Sequence, residues 1–339
     1  MKLLIMILFP IFLYSADIDD ETEETFTPDK EKLISDAKVK IEITRLANEA
    51  NLHIKSKKFK EAESILKQIR ELSDVSIDYH YLKAVLHYSL GELNHSLHFL
   101  YSGVKLNNSH DPSYFLMGMI YGKKNDWEKA VPFFEKANQH GSYNPYYRMN
   151  LAVAYYQIDN FEKSALEAKN TFELKENYLN AKILYIRSLI KTNKKEAYNY
   201  ILSLIEKKID INPFYPSYIQ LLFEYKKNYA EVIKELSKKQ TLSLDEKKYL
   251  AYSYFKDGEI QKSYSMYKQF IGTERDSEED LMNYLRVLIS SNKESEADKI
   301  LSELKKSNFE IRKYYNDFYL SLIQKKEILK LLYQPVIMR

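Results

Sequence analysis

The stretch that decides the fold is YFLMGMIYGKKNDWEKAVPFFEKA, residues 114–137. Apolar residues recur at helical spacing on both sides of a polar turn at 125–126, which predicts two amphipathic helices joined by a short connection. Gly118 and Ala130 place one small residue on each helix, and small residues let two helices cross closely because a larger side chain pushes the backbones apart. Trp127 follows the turn and is expected to fill the gap between the helices. The stretch therefore predicts one helical hairpin.

The hairpin recurs along the chain with a spacing of 34 residues. Each copy has a small residue in the first helix, a large apolar residue nine positions later and a second small residue twelve positions after the first. These positions are held by Ala50, Phe59 and Ala62, by Ala84, Leu93 and Ser96, by Gly118, Trp127 and Ala130, and by Ala152, Phe161 and Ser164. The connecting turns lie at 57–58, 91–92, 125–126 and 159–160. Their residue types end helices or tolerate left-handed geometry, and a fixed period of this length indicates a stacked repeat architecture.

This pattern resembles the tetratricopeptide repeat family. The copy that carries the resemblance best has the family's residue types at Tyr114, Met117, Gly118, Tyr121, Trp127, Ala130, Phe134 and Ala137. The family's usual proline at the end of a repeat is replaced by Asp74, Asn108, Ser142 and Glu176. The resemblance covers residues 40–305 and implies an all-α, right-handed superhelical solenoid of stacked helix-turn-helix repeats that works by binding other proteins.

The register also divides the chain into segments. It returns near the C-terminus at Ala251, Ser263 and Leu285, and the 99 residues between Ala152 and Ala251 leave room for two degenerate copies. A very short turn at 227–228 is the expected place for a kink or a boundary between two sub-arrays. The predicted organisation is a signal peptide at 1–16, an acidic disordered leader at 17–35, four regular repeats at 36–176, degenerate repeats at 177–240, C-terminal repeats at 241–306, and a capping helix and tail at 307–339. A terminal cap is expected because each repeat buries its face only against a neighbour.

The N-terminus has the pattern of an export signal. Lys2 is followed by an apolar run at 3–14, which is too short to span a bilayer, and then by the small residues Ser15 and Ala16. We expect cleavage after Ser15 or Ala16 and a mature chain without stable membrane insertion, with an uncleaved anchor as the alternative. The expected location is the bacterial periplasm, and secretion is the alternative.

Composition and motifs argue against enzymatic and nucleic-acid-binding functions. The 339 residues include only seven glycines and no cysteine, so a glycine-rich phosphate loop, a disulfide and a thiolate metal site are not expected. Basic residues alternate with glutamate as on solvated helix faces, and the formal net charge is only +3, whereas a nucleic-acid footprint is denser and more basic. No carboxylate pair sits in apolar surroundings that would tune a catalytic pKa. We predict a protein without enzymatic activity, cofactor or bound nucleic acid.

Four histidines fall within one repeat, namely His80, His87, His95 and His98. His95 and His98 share a helix face at i, i+3, and clustered imidazoles can bind a metal ion. However, His87 occupies the position that Tyr121 holds in the next repeat, which is a packing position. The favoured interpretation is structural histidine, and no metal site is predicted.

The surface that remains for binding is the inner wall of the solenoid. The resemblance implies that this wall comes from the first helix of each repeat, and counting −3, +1, +4 and +5 from the small residue selects its positions. The predicted partner-binding groove contains Tyr81, Val85, Tyr88, Phe115, Met119, Lys123, Tyr146, Met149, Val153 and Tyr156. Such aromatic and methionine side chains suit an apolar helix or extended segment of a partner. The alternative is that tight winding of the solenoid buries them.

Two functions follow from this groove. The favoured one is a non-enzymatic periplasmic scaffold or adaptor, which binds a peptide or helix of another protein. The alternative is a structural subunit of a permanent envelope or surface-machine complex, in which the same apolar face packs against a fixed neighbour or forms a homo-oligomer.

Overall fold

The computed structural model describes residues 27–141, 143–271 and 278–304. Within these ranges the chain forms consecutive α-helices joined by turns, with no β-strand, which confirms the expected all-α fold of paired helices. The first helices along the chain are α1 (Thr27–Lys55), α2 (Phe59–Leu72), α3 (Ile77–Ser89), α4 (Leu93–Leu106), α5 (Asp111–Lys123), α6 (Trp127–His140), α7 (Pro145–Gln157) and α8 (Phe161–Leu174). They are followed by α9 (Leu179–Thr192), α10 (Lys194–Glu206), a 3₁₀ turn (Asn212–Phe214), α11 (Tyr215–Glu224), α12 (Tyr229–Leu236), α13 (Leu244–Lys256), α14 (Ile260–Tyr267), α15 (Glu278–Ser290) and α16 (Glu294–Leu304).

The chain divides into two compact units, which meet within α7 between Tyr147 and Arg148. The sequence places a kink or boundary at the short turn 227–228 instead. That turn lies inside the second unit, where the backbone N–H of Asn228 donates to the carbonyl of Leu222 at 3.0 Å. The helices on either side of it, α11 and α12, share one apolar cluster with Leu250 of α13. A short turn therefore tightens this pair of helices and does not separate two units.

The first helix is longer than the sequence predicts. The helix α1 begins at Thr27, so the disorder predicted for the leader at 17–35 is wrong for residues 27–35. These residues include Pro28 near the first position of the helix, where proline is tolerated, followed by lysine and glutamate, which are good helix formers. The signal peptide at 1–16, the leader residues 17–26 and the capping segment at 307–339 lie outside the described residues.

The small residues of the 34-residue register lie at the helix crossings. Complete burial is found for Ala50, Ala84, Ala152 and Ala251 on first helices and for Ala62, Ser96, Ala130, Ser164 and Ser263 on second helices. Gly118 has the tightest surroundings, because a Cβ atom built there would lie 2.6 Å from Cδ1 of Phe134. The crossings thus require small residues at the predicted positions.

A serine at the second-helix position also ties the two helices of a pair together. The Ser96 hydroxyl donates to the Ala84 carbonyl at 2.8 Å, and the Ser263 hydroxyl donates to the Ala251 carbonyl at 2.7 Å. Both hydroxyls are fully buried. Without these bonds each buried hydroxyl would cost about 1–3 kcal/mol.

A residue in the left-handed conformation ends the first helix of each regular pair. It is Lys57 (φ +59°), Gly91 (φ +81°), Asn125 (φ +58°) and Asp159 (φ +58°) in the four regular copies, and Gly258 (φ +85°) and Asn292 (φ +55°) in the C-terminal ones. The next backbone N–H then returns to a carbonyl five residues earlier, as from Glu92 to His87 at 2.8 Å, which caps the helix end. The turns of the four regular copies lie where the sequence pattern predicts them.

None of the helices within the described residues is both long enough and apolar enough to cross a bilayer.

Candidate functional site

In the first unit, most of the predicted groove residues lie on α3 and α5. On α3 the residues Tyr81, Val85 and Tyr88 are half-buried and alternate with fully buried core residues, so they lie at the margin of the core. Burial raises the pKa of the Tyr81 phenol above its ordinary value of 10. The ammonium group of Lys123 on α5 lies 5.0 Å from the ring centroid of Tyr88, close enough for a cation–π contact. The structure therefore brings these predicted groove residues of two neighbouring repeats together.

Phe115 and Met119 on α5 are more deeply involved in packing than the groove prediction implies. The ring of Phe115 stacks on Tyr147 with centroids 4.6 Å apart and lies 5.7 Å from the ring of Phe134. Met119 packs against the same apolar cluster as Phe115. Tyr146, in contrast, is 53% exposed. Truncating Phe115 would therefore remove core contacts as well as any contact with a partner.

Tyr121 is half-buried and packs against the apolar cluster of its helix pair, in agreement with the packing position that the register gives it. Its ring stacks on Phe133 of α6, with centroids 5.4 Å apart and planes 4° from parallel. Its hydroxyl lies 3.2 Å from the hydroxyl of Tyr101 on α4. The residue thus joins three helices of the first unit.

In the second unit the predicted groove residues Met149, Val153 and Tyr156 are half-buried on α7 and pack against a cluster formed mainly by α8, α9 and α10. The ring of Tyr156 meets the ring of Phe161 edge-on, with centroids 5.1 Å apart. Tyr156 also lines a cavity of about 500 Å³. The other residues of this cavity are Arg187, Ile190, Lys191, Pro216, Ser217, Ile219, Gln220, Lys239, Ser243, Asp245, Glu246 and Tyr249.

The cavity is lined by residues of three further first helices of the second unit, α9, α11 and α13. Arg187, Ile190 and Lys191 follow Ile186 at +1, +4 and +5, the spacing that defines the wall elsewhere. The sequence-based choice of residues omits them because Ile186 replaces the small residue from which the positions are counted. Counting the fixed 34-residue step from Ala152 to Ile186, whatever the size of the residue there, would have selected these three positions.

The cavity is polar at its rim and apolar at its base. Ile190 and Ile219 are buried, whereas Arg187 and Lys191 are exposed and form no ion pair within the described parts of the chain. Lys239 is engaged, since its ammonium group lies 2.6 Å from the carboxylate of Glu246. The cavity therefore offers two available cations beside an apolar surface.

Glu246 is the carboxylate that shapes one side of this cavity. Burial alone would raise the pKa of Glu246, but hydrogen bonds from Lys239 and from the backbone and side chain of Ser243 outweigh burial, and the pKa is lowered. Ser243 and Glu246 form a capping box at the start of α13. This pair fixes the helix end against which the cavity opens.

A second cavity, of about 350 Å³, lies further along the same wall between α11, α13 and α15. Phe223 lies 4.6 Å from Tyr249 and 5.5 Å from Tyr252 between ring centroids, and an ion pair joins Lys248 to Asp280 at 2.5 Å. The positions of Lys248 and Tyr252 follow the wall register from Ala251. The inner wall of the second unit is thus aromatic in character with charged residues between the rings.

Comparison with known proteins finds a family model and solved structures that resemble this chain. Residues 111–139 match the family model described as tetratricopeptide repeat. Among solved structures, the chain is similar to MamA from Desulfovibrio magneticus RS-1 (16% identity, 48% of this chain and 93% of that one, TM-score 0.42) and to PilF of Pseudomonas aeruginosa (11% identity, 82% and 98%, TM-score 0.41). It is also similar to Naa15/Naa10 bound to HypK-THB, with 13% identity and a TM-score of 0.52. This match covers 77% of this chain and 41% of that one, and it concerns the fold alone.

A search among proteins of curated function gave no match. The family match covers the stretch 111–139, in which the sequence pattern is clearest, and the flanking helix pairs repeat its geometry. Residues 111–139 of the chain thus resemble a tetratricopeptide repeat, within a fold of consecutive helix pairs.

Proposed function

We propose that the chain is a non-enzymatic periplasmic scaffold or adaptor that binds a peptide or helix segment of a partner protein on its inner wall. The tetratricopeptide repeat fold supports a role in protein–protein interaction. Periplasmic location rests on the export pattern of the first 16 residues, with secretion as the alternative. The absence of a catalytic function and of nucleic-acid binding rests on the residue patterns of the sequence and is part of the same proposal.

The observation that carries the proposal is the cavity of the second unit that α9, α11 and α13 line together. Its apolar base at Ile190 and Ile219 suits an aliphatic or aromatic side chain. The exposed cations Arg187 and Lys191 beside that base favour an acidic residue or a terminal carboxylate on the same segment. A segment that carries an apolar residue next to an acidic one therefore fits this part of the wall best.

Photo-crosslinking in cells tests the proposal. A benzoylphenylalanine at Lys191 would face the cavity, whereas the same group at Lys195 lies exposed on the second helix α10 and serves as the control. We expect a discrete crosslinked protein from position 191 and not from position 195. The proposal is contradicted if both positions give the same products or if neither gives one.

A pair of charge variants then tests the recognition itself, with the captured segment supplied as a synthetic peptide. Arg187→Ala with Lys191→Ala should weaken binding by about 2 kcal/mol or more, roughly thirtyfold in Kd. The matched control is Lys195→Ala with Lys207→Ala, which removes the same charge from exposed positions outside the cavity. Equal loss in both variants would indicate long-range charge attraction and not a binding site.

The structural subunit remains the second candidate because α1 exposes two large apolar side chains. Ile41 is 70% exposed and Leu52 is 65% exposed. They stand eleven residues apart, which is close to three helical turns and puts them on one face. Light scattering of the mature chain separates the two functions, because a monomer favours the adaptor. An oligomer that Ile41→Lys with Leu52→Lys dissociates favours the subunit.

A further inference from the structure

The turn between α3 and α4 brings together three side chains that can bind a metal ion. Nδ1 of His87 lies 2.6 Å from Oε2 of Glu92, and Nδ1 of His95 lies 3.6 Å from the same oxygen. One ligand atom from each of the three residues falls within 4.8 Å of the others. The sequence draws attention to His95 and His98 along one helix, whereas the structure pairs His95 with His87 across the turn.

The backbone of this turn holds the three residues in place. Gly91 has φ +81°, and the N–H of Glu92 donates to the carbonyl of His87 at 2.8 Å, so the end of α3 and the start of α4 are tied together. The ring of His87 stacks on Phe99, with centroids 5.3 Å apart and planes 9° from parallel. The imidazole therefore has a fixed orientation and its Nδ1 is directed toward Glu92.

Glu92 differs from the residues that hold the same place in the next two repeats. Asp126 and Asn160 each cap their helix, accepting a hydrogen bond from the backbone N–H of Lys129 and of Lys163 respectively. Glu92 makes no such bond to α4. Its carboxylate instead lies against the two imidazoles.

The residue three positions after Glu92 also differs from its equivalent in the next repeat, where Lys129 stands in place of His95. Lys129 forms an ion pair with Asp126 at 2.7 Å, and a lysine ammonium has no lone pair to offer a cation. In this repeat the position is held by His95, whose neutral ring can donate a lone pair. Only the second of the four regular repeats thus combines two imidazoles and a carboxylate on this turn.

We propose that His87, Glu92 and His95 bind a first-row transition-metal cation such as Zn²⁺ through two imidazole nitrogens and one carboxylate oxygen. Bonds of about 2.0–2.2 Å in a tetrahedral site place ligand atoms about 3.4 Å apart, and the separations of 2.6 and 3.6 Å bracket this value. Imidazole ligands favour Zn²⁺ and its neighbours, whereas Mg²⁺ and Ca²⁺ require oxygen ligands.

The fourth position of this site faces solvent. The side chain of His95 is 73% exposed and that of Glu92 is 45% exposed, so a water molecule or a side chain of another protein can complete the coordination. Three protein ligands with one open position are the arrangement of zinc sites that exchange their fourth ligand. The site lies in the first unit and is separate from the cavity of the second unit that the proposed function uses.

Calorimetric titration of the untagged full chain with Zn²⁺ tests this assignment, with Co²⁺ absorption as an independent report of tetrahedral coordination. We expect one strong site per chain. His95→Ala and Glu92→Gln should each weaken Zn²⁺ binding by more than about tenfold, because even the loss of an outer partner commonly costs that much. Both residues are exposed, and an unchanged circular dichroism spectrum would establish that the variants remain folded.

The matched control is His98→Ala. His98 is exposed on the same helix, three residues beyond His95, and contributes no ligand atom to the cluster. Its loss should leave Zn²⁺ binding and the Co²⁺ spectrum unchanged. The assignment is overturned if the chain does not bind Zn²⁺, if His95→Ala binds as the unmodified chain does, or if His98→Ala weakens binding to the same extent.

Discussion

The contact between Gly118 and Phe134 tests whether close helix crossing requires a small residue, because one added methyl group should disturb it. A Cβ at Gly118 would lie 2.6 Å from Cδ1 of Phe134, which is 0.8 Å short of the 3.4 Å at which ordinary contact begins. Gly118→Ala gains about 1 kcal/mol of helix propensity in the middle of α5. The overpacking costs about 1–3 kcal/mol. We therefore expect a net loss of up to about 2 kcal/mol, although the same exchange in an open helix would stabilise the chain.

The preceding repeat supplies the compensating change. It has Ala84 and Leu100 at the positions of Gly118 and Phe134, and both are fully buried in one cluster. Phe134→Leu alone should cost about 1–2 kcal/mol by leaving space at the crossing. In the double variant the new methyl group fills that space, so the two effects should not add. We expect the double variant to be about 1–3 kcal/mol more stable than the sum of the single effects.

Urea unfolding followed by tryptophan fluorescence suits this measurement. Trp127 is the only tryptophan of the chain and begins α6 in the same repeat, so its signal reports on this hairpin. A coupling energy below about 0.5 kcal/mol would mean that the two residues do not share the crossing, and the packing argument would be refuted. Gly118→Leu should be more destabilising than Gly118→Ala, since its longer side chain meets the same ring.

Three further outcomes are expected. Tyr121→Ala removes a ring stack between helices and should lower the free energy of unfolding by about 2–3 kcal/mol; an unchanged urea midpoint would place the residue outside the core. Hydrogen bonding lowers the pKa of Glu246 from its ordinary 4.5, so its ionisation stabilises the fold above that pH and this stabilisation is lost as the pH falls below it. The stability difference between the chain and Glu246→Gln should therefore shrink in urea titrations below about pH 4.5, and a difference independent of pH would contradict the role of Lys239. Intact-mass measurement of the exported chain should show a start at Ala16 or Asp17, and a membrane-bound form that retains the first residue would exclude cleavage.

Local features of the fold were predictable from the sequence because they depend on residues close together in the chain. The burial of Ala84 and Ala152 follows from crossings within one hairpin, and the left-handed turns follow from residue types such as Asn125 and Gly91. The extension of α1 to Thr27 was not predictable by the same argument, because an acidic and polar composition fits both a solvated helix and a disordered leader.

The candidate site was less predictable, because its geometry depends on side chains brought together by packing. Half-burial of Tyr81 and Tyr156 agrees with a position on a wall, but the core contacts of Phe115 depend on the placement of Tyr147 in the next pair. The cavity at Arg187 was missed because a large residue stands where the register expects a small one. His87 and His95 approach each other across a turn, and this depends on their side-chain rotamers. Residue spacing along one helix does not predict such a contact.

The left-handed turns have a consequence for how this chain could be engineered. Lysine has this conformation at Lys57 and also in the turns that follow α10 and α11, at Lys208 and Lys227, and all three side chains are exposed. An ordinary residue pays about 1–2 kcal/mol for that conformation, whereas glycine adopts it freely and loses only about 0.5–1 kcal/mol through the greater freedom of the unfolded chain. Lysine-to-glycine exchange at each position should therefore raise the thermal tolerance of one hairpin without altering a packed surface. Heat resistance could thus be adjusted hairpin by hairpin from the loops, leaving the recognition surfaces as they are.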